Sequence, residues 1–401
     1  MIERSGSKTL IREINEALIL NELRSKRLCS RADIVRETGL SGPTVSAITG
    51  RLIECGLVEE REVGAATGGR PPVLIALRPK AGYVVGVKLT DTGLIGVLTD
   101  LDATVVARRS RPLRSTTVAG VVSAVVSVVR GLVEAAGDGR VLGVGLGLGG
   151  VIHRDTGMVR HATYFDWREE PLAQRLSTAT GLTVVIDNDV NTLVASEQGW
   201  GEGRGIGNLA VVSVGRGIGL GLVLDGRLFR GATGGAGELG HTKVASDGPL
   251  CPCGASGCLE AFAGEPAMAA AAAVVVGRSI TIAEAADGAR SGDSGLRGVF
   301  SDAGTMLGRA VGNVVNVFNP TRIILAGEGT RNSDLLLPAF ELELSKTVFD
   351  GLQDDLTVHV DAWEDEAWAR GAARLFLNEL FQPNFRHDPA DRPTLMRLAA
   401  G

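Results

Sequence analysis

Gly237-Glu238-Leu239-Gly240-His241 is followed, ten residues after its histidine, by Cys251-Pro252-Cys253-Gly254-Ala255-Ser256-Gly257-Cys258-Leu259-Glu260. Three of the chain's five cysteines fall in the last of these two segments. A soft divalent ion such as zinc takes four ligands at about 2.0–2.3 Å in a tetrahedral array. Cys251, Cys253 and Cys258 lie in a glycine-broken loop that can curl round one ion, and His241 is the natural fourth ligand. With all four positions filled by protein, the expected Zn2+ is structural, one per chain, and lacks the open position of a catalytic site. Its role is to pin the loop carrying Glu260 against the turn carrying Glu238. The alternative, three reduced thiols in a core, leaves the clustering without a reason.

Around this segment the composition is that of a folded, water-soluble chain of two or three domains. The 401 residues are 44% hydrophobic and 22% charged, with only 4% aromatic and 55 glycines, which suits tight strand-to-turn connections. The longest apolar runs, 141–152 and 267–276, are shorter than the roughly 20 residues of a membrane-spanning helix. No charged-then-apolar leader opens the sequence, so a cytoplasmic protein without membrane contact is expected. Net charge is −5, which alone argues against nucleic acid. Residues 1–80, however, carry 13 Lys and Arg against 10 Asp and Glu, so the acidity belongs to the remainder. A mildly basic head on an acidic body is compatible with a DNA-binding module fused to a second function. Cys29 and Cys55 stand alone in helical patterns and read as small core fillers.

The head, 1–80, reads as three helices and a hairpin. Leu10–Leu23 places Leu10, Ile14, Leu18 and Leu20 or Leu23 near one face. Ser30 opens a second helix with Asp33 as its capping-box partner and Ala32, Ile34 and Val35 inward, and Gly39 ends it. Ser41 caps a third helix with Pro43 in its first turn. Val45, Ile48 and Leu52 form its inner face, while Thr44, Ser46, Ala47, Gly50 and Arg51 give a small, polar outer face suited to the major groove. Gly56-Leu57-Val58 then leads through Glu60–Val63 and Gly68-Gly69-Arg70-Pro71 to Pro72–Leu77, a hairpin wing whose Arg70 can reach phosphates or a minor groove. The expected DNA contacts are Ser41, Thr44, Ser46, Ala47, Arg51 and Arg70, in a winged helix-turn-helix. The alternative is a three-helix module that binds another protein.

From Gly82 the character changes. Tyr83–Val87, Gly93–Asp100 and Thr104–Leu113 read as strands, followed by a helix, Val118–Ala136, and a strand, Val141–Leu148. The triplet recurs in Leu209–Val214, Gly217–Asp225 and Arg227–Phe229, followed by a helix, Asp302–Phe318, a strand, Arg322–Ala326, and a helix, Glu366–Leu380. Residues 81–401 are therefore expected to form an α/β domain of two lobes with a cleft between them, with a poorly packed tail after about 383.

The glutamate, histidine and cysteine pattern resembles the signature of the ROK family of repressors, open reading frames and sugar kinases. The likeness runs over nearly the whole chain from the helix-turn-helix onward. It implies a bilobal actin-like fold, and it implies that Asn188, Asp189, Glu238, His241 and Glu260 bind a hexose. Carboxylates accept paired O–H bonds from vicinal hydroxyls and Asn offers both kinds of partner. Asp187-Asn188-Asp189 follows the strand Thr183–Ile186, at a carboxyl end where α/β sheets bind ligands. Asp187 either joins them or caps the next helix. Gly149-Gly150 brings backbone close to the sugar, with Gly where the family often has Pro.

In the family's kinases the counterpart of Asp189 is the general base, and an Asp-x-Gly-Gly-Thr-Lys loop cradles the phosphates. Here the loop is Val87-Lys88-Leu89-Thr90-Asp91-Thr92-Gly93: Lys88 replaces the acid and the paired glycines are gone, so side chains stand where backbone N–H groups would wrap phosphate. Gly215-Arg216-Gly217-Ile218-Gly219 keeps its glycines but has Arg216 where kinases usually have Thr, and Ala326-Gly327-Glu328-Gly329 only approximates the adenosine element. The expectation is a non-catalytic regulator, a repressor of carbohydrate genes. It binds an inverted-repeat DNA operator as a homodimer or dimer of dimers and answers to a sugar or sugar phosphate. The alternatives are an active ATP-dependent sugar kinase carrying a DNA-binding head, and a regulator titrated by a protein partner.

Overall fold

The structure, a computed structural model, describes residues 8–61, 72–361 and 365–381. The head comprises α1 (Lys8–Lys26), β1 (Cys29–Ser30), α2 (Arg31–Thr38), α3 (Gly42–Glu54), β2 (Val58–Arg61) and β3 (Leu74–Leu77). Its caps are those the sequence prescribes. The Asp33 N–H donates to Ser30 Oγ at 3.1 Å and the Ser30 N–H to Asp33 at 3.0 Å. Gly39 closes α2 at φ 70°, and Ser41 caps α3. Two capped helices joined by three residues cannot run on as one, and this sets the helix-turn-helix angle.

Val45, Ile48 and Leu52 meet Ile34, Ile19, Leu20 and Leu23 in one buried cluster. Three expectations shift. The inner stripe of α1 is Ala17, Ile19, Leu20 and Leu23, whereas Leu18 is exposed. Ala32 faces solvent in the first turn of α2. Cys29 lies in a strand and Cys55 just past the end of α3, not in helix interiors, although both join the head core. The three strands pair antiparallel in the order β1-β3-β2. The expected wing tip, Gly68-Gly69-Arg70-Pro71, and the segment beyond 381 lie outside the described residues.

The first lobe contains β4 (Tyr83–Leu89), β5 (Gly93–Asp100), β6 (Val105–Pro112), α4 (Val118–Ala135), β7 (Val141–Leu148), β8 (Val151–His153), β9 (Met158–Ala162), β10 (Trp167–Glu170), α5 (Leu172–Thr180), β11 (Val184–Asn188) and α6 (Asp189–Trp200). The second has β12 (Leu209–Val214), β13 (Ile218–Leu224), β14 (Arg227–Phe229), α7 (Glu260–Ala263), α8 (Glu265–Val276), α9 (Ile282–Arg290), α10 (Ser294–Phe318), β15 (Arg322–Ala326), α11 (Ser333–Thr347) and β16 (Thr357–Val360). The final helix, α12 (Asp365–Phe381), returns to the first lobe. The sheet orders, β6-β5-β4-β7-β11 and β14-β13-β12-β15-β16, are the same topology twice: an antiparallel meander extended by two parallel strands. This is the internal duplication that the two strand triplets foreshadow, and the fold is the bilobal actin-like one.

The glycines of β7 explain how α12 docks. Side chains alternate across a strand, so Val144, Leu146 and Leu148 face Val121, Val125, Val128 and Val129 of α4 in one core. Gly143, Gly145 and Gly147 face the other way. A Cβ on Gly145 would stand 1.9 Å from the Ala372 carbonyl oxygen, and one on Gly86 in β4 would stand 1.9 Å from that of Ala369. Gly371 meets the Thr192 carbonyl of α6 equally closely. Helix backbone thus lies directly on strand backbone. Gly145→Ala is expected to destabilise the protein by about 3 kcal/mol, the upper range for overpacking a close-packed site, read as a lower urea midpoint with unchanged slope. By length and composition, α4 is apolar enough to cross a membrane, which the expectation from apolar runs overlooked, yet its valine face is buried on the sheet.

The C-terminal half of α12 also carries the head. Leu377, Leu380 and Phe381 share a buried cluster with Ile19, Leu23 and Leu52. The Asn21 side chain donates to the Phe381 carbonyl at 2.8 Å.

Candidate functional site

A cavity of about 540 Å³ opens between the lobes, within the range of about 300–1,000 Å³ usual for small-molecule sites. It is lined by all seven expected sugar-contact residues: Gly149, Gly150, Asn188, Asp189, Glu238, His241 and Glu260. They come from both lobes, brought together by the ends of β7 and β11, by the turn at 238–241 that follows β14, and by the first residue of α7.

Asn188 ends β11 and caps α6. Its Oδ1 accepts the Val190 N–H at 2.8 Å and its Nδ2 donates to the Gly150 carbonyl at 3.0 Å. Gly150 sits at φ 140°, and a Cβ there would strike the His161 carbonyl at 2.4 Å. Asp189 is the first residue of α6, where the helix N-terminus favours negative charge. Burial nevertheless raises its pKa, opposed by the charge of Lys88 and by the Val190 N–H. Asp187 neither caps the helix nor lines the cavity. Its oxygens accept Arg230 Nε at 2.7 Å and Asn191 Nδ2 at 2.7 Å, a buried bridge between the lobes. Burial likewise raises Glu238, with His241 opposing. Glu260 Oε2 accepts the Ile218 N–H at 3.1 Å and so ties the start of α7 to β13.

His241 stands between two sites. Its Nδ1 lies 3.6 Å from Cys251 Sγ, while its Nε2 points to Glu238 at 3.9 Å. Cys253 Sγ and Cys258 Sγ are 3.7 Å apart, and all four ligand atoms lie within 4.8 Å of one another. Tetrahedral ligands at zinc distances stand about 3.6–3.8 Å apart, so the residues fit such an ion. Lys243 Nζ is 3.3 Å from Cys258 Sγ, a cation placed to offset thiolate charge. The Ala255 N–H helps hold the Cys253 thiol below its ordinary value, whereas burial pushes Cys251 up to about 12, a cost that a central cation offsets. The four residues form a candidate His/Cys3 metal site.

The remaining wall carries the two cations of the altered phosphate loops, whose partners the sequence does not reveal. Lys88 is only 5% exposed. Its Nζ contacts Asp365 Oδ1 at 2.7 Å and Glu328 Oε1 at 3.5 Å, and lies 4.3 Å from the centre of the Trp368 ring. Arg216 pairs with Asp91 at 2.6 Å and stacks on Tyr164 at 4.6 Å. Burial, with Glu260 nearby, pushes Tyr164 up to about 12. These partners are separated by more than 100 residues from the ones they meet, except Tyr164, and only the fold unites them.

On the head, Ser46 and Ala47 are exposed on α3 and Thr44 is half-buried beside them. Ser41 is exposed, with Oγ engaged at the cap. Arg51 is drawn back by Glu16 at 2.6 Å. Arg70 lies outside the described residues.

Comparison with known proteins bears on both halves. The family model described as ROK family matches residues 84–379, and that described as MarR family matches residues 13–68. The xylose repressor of Caldicellulosiruptor bescii is 28% identical over 391 residues, spanning 94% of this chain and 98% of that protein. A solved ROK family transcriptional regulator, a homologue of the E. coli MLC protein, superposes with a TM-score of 0.86 at 25% identity over 98% of this chain and 100% of that one. A ROK family glucokinase from Streptomyces griseus, solved with glucose and AMPPNP, gives 0.65 at 26% identity over 73% of this chain and 99% of that one.

Proposed function

The chain belongs to the ROK family, and on that premise we propose that it is a DNA-binding transcriptional repressor of carbohydrate metabolism or transport genes. The head, 1–80, binds an operator, and the body, 81–401, binds a sugar in the interlobe cleft. What carries this reading is the state of the two cations in the cleft. A phosphate cradle needs free positive charge and bare backbone N–H groups. Lys88 is instead held by Asp365 and Glu328, and Arg216 by Asp91. The loop Lys88–Gly93 has only one glycine, at its end. With Asp189, Glu238 and Glu260 also on the wall, the cleft suits a neutral polyol better than a nucleotide or a sugar phosphate.

Asn188, Asp189, Glu238 and Glu260 present acceptors to hydroxyls, and Gly149 and Gly150 give backbone access. Zinc suits the Cys3His donor set. Bound there, it would cross-link His241 to the cysteine loop and supply structure, not chemistry, keeping the imidazole turned toward Glu238. The operator partner implies work in the cytoplasm. A homodimer would set two α3 helices about 34 Å apart, or a multiple of it, on an inverted repeat. Sugar can act on DNA affinity only through its differential affinity for the two head arrangements.

Incubation with ATP and a panel of hexoses is expected to yield no sugar-dependent ADP. Turnover at about 1 s⁻¹ or faster, the ordinary enzymatic range, would establish the kinase reading in its place. In thermal-shift measurements the effective ligand should be an unphosphorylated sugar. At a hundredfold excess over Kd it adds about 2.7 kcal/mol to stability, and its 6-phosphate should not compete with it for the cleft.

A further inference from the structure

The joint between head and body gathers arginines. Arg370, Arg374 and Asn378 recur every four residues on α12 and so share one face. Arg370 stacks on the ring of Trp200, at the end of α6, with its Cζ 3.5 Å from the ring centre, and Arg374 stands 4.9 Å from the same centre. Arg24 of α1 reaches this face from the head: its Nη2 donates to Asn378 Oδ1 at 2.7 Å, and its Cζ lies 5.1 Å from the centre of Phe381. Arg374 Nη1 lies where a Cβ on Gly199 would come within 2.6 Å of it. Arg204, exposed one turn past α6, adds a fourth positive charge.

Carboxylates do not balance this group. Asp102 acts on Arg24, and Asp100 and Glu366 act on Arg370. Asp100 already accepts two backbone N–H groups, and Glu366 is paired with Arg108. Among the described residues, Arg374 and Arg204 have no ion pair and no side-chain hydrogen bond. Burial together with the charges of Arg24, Arg370 and Arg204 drives Arg374 down to about 9. Arg370 Nε donates to the Ala103 carbonyl at 2.8 Å, but the remaining guanidinium N–H groups, partly withdrawn from water and repelling one another, make a place that an anion stabilises. Their planar forks match the oxygens of phosphate.

We propose that Arg24, Arg204, Arg370 and Arg374 form a second ligand site, at the head–body joint, for a small multivalent oxyanion bearing a phosphate group. The site is independent of the sugar cleft and of what that cleft binds. Because Arg24 belongs to the head and the other three to the body, its occupant cross-links the two. DNA is the less suitable occupant, since Arg370 and Arg374 are recessed against Trp200.

The test uses the full chain with inorganic phosphate as the probe, against sodium chloride at equal ionic strength, followed by thermal shift and calorimetry. Saturable phosphate stabilisation is expected, with affinity reduced at least tenfold in Arg374→Gln and in Arg204→Gln. Arg204 is exposed, so its variant keeps the fold whatever happens to Arg374→Gln. A second arm replaces phosphate by a sugar 6-phosphate. Tighter binding than phosphate, lost in the same two variants, identifies a phosphorylated metabolite as the source, and equal binding identifies the free ion. Phosphate indistinguishable from chloride, or both variants binding it like the parent, overturns the proposal. So does weakened operator binding by Arg204→Gln in phosphate-free buffer with phosphate affinity unchanged, which would assign the arginines to DNA.

Discussion

Cys253→Ser is expected to reduce bound metal from about one ion per chain to nearly none and to abolish the sugar response. Cys253 is the exposed member of the His241, Cys251, Cys253 and Cys258 cluster, so its replacement disturbs packing least and isolates the ligand effect. Three-ligand sites exchange metal readily, and a structural zinc can supply on the order of 10 kcal/mol to the fold of its own loop. Apart from Leu259, which joins the second-lobe core, the buried apolar cluster of that loop is only Cys251, Cys258 and Ala261. Its loosening frees Glu260 from Ile218 and His241 from its orientation toward Glu238. Sugar affinity should fall by more than a hundredfold. Operator affinity without sugar should stay within about twofold, because the head core contains none of these residues. Elemental analysis and a gel shift check the two halves, and a variant that keeps both its metal and its response would refute the metal site.

Asp189→Asn separates ligand recognition from folding in a different way. A carboxylate accepting two sugar hydroxyls contributes about 1.5–3 kcal/mol per charge-assisted bond. Its loss should therefore weaken sugar binding by about 10²-fold or more, while the amide oxygen can still accept the Val190 N–H. The sign for stability is opposite. Burial raises the Asp189 pKa in the folded state, so the ionised carboxylate opposes folding above that pKa, and the penalty disappears as pH falls below the unfolded value. The ligand-free variant should accordingly melt no lower than the parent at neutral pH, and its melting temperature should gain less than the parent's on acidification. A melting temperature several degrees below the parent's, or an unaltered sugar response, would remove Asp189 from the recognition role.

What could be read from the sequence follows the range over which its signals act. The capping box of Ser30 and Asp33, the Ser41 cap and the cysteine loop were legible because their parts lie within a few residues of one another. The acceptors of the cleft were legible through the family resemblance. The start of α10 at Ser294 was missed by eight residues: Gly295 and Gly298 mask a helix that Asp293 caps through the Leu296 N–H at 3.0 Å. The small sheet β8–β10 was missed because its strands are short and partly polar, with Asp166 and Glu169 at positive φ. Lys88 looked like a damaged phosphate loop, but its partners Glu328 and Asp365 lie 240 and 277 residues away. Asp187 was indistinguishable from its neighbours until Arg230 appeared opposite it. Its side of the cleft is a matter of tertiary pairing, which local pattern does not encode.

Helix α12 begins at the cleft, with Asp365 on Lys88 and Trp368 beneath it, and ends inside the head core at Phe381. Seventeen residues of helix span about 25 Å. The glycine contacts at Gly86, Gly145 and Gly371 act as a fulcrum, with backbone on backbone and no side chain between to absorb slack. The head end lies ten residues, about 15 Å, beyond Gly371, so a tilt of about 5° about that pivot becomes about 1.3 Å at the head, the size of displacement by which helix shifts switch interfaces. In a twofold dimer the two excursions combine. In the proposed dimer the gap between the two α3 helices would then be a mechanical readout of cleft closure, with the glycines of β4 and β7 setting its gain.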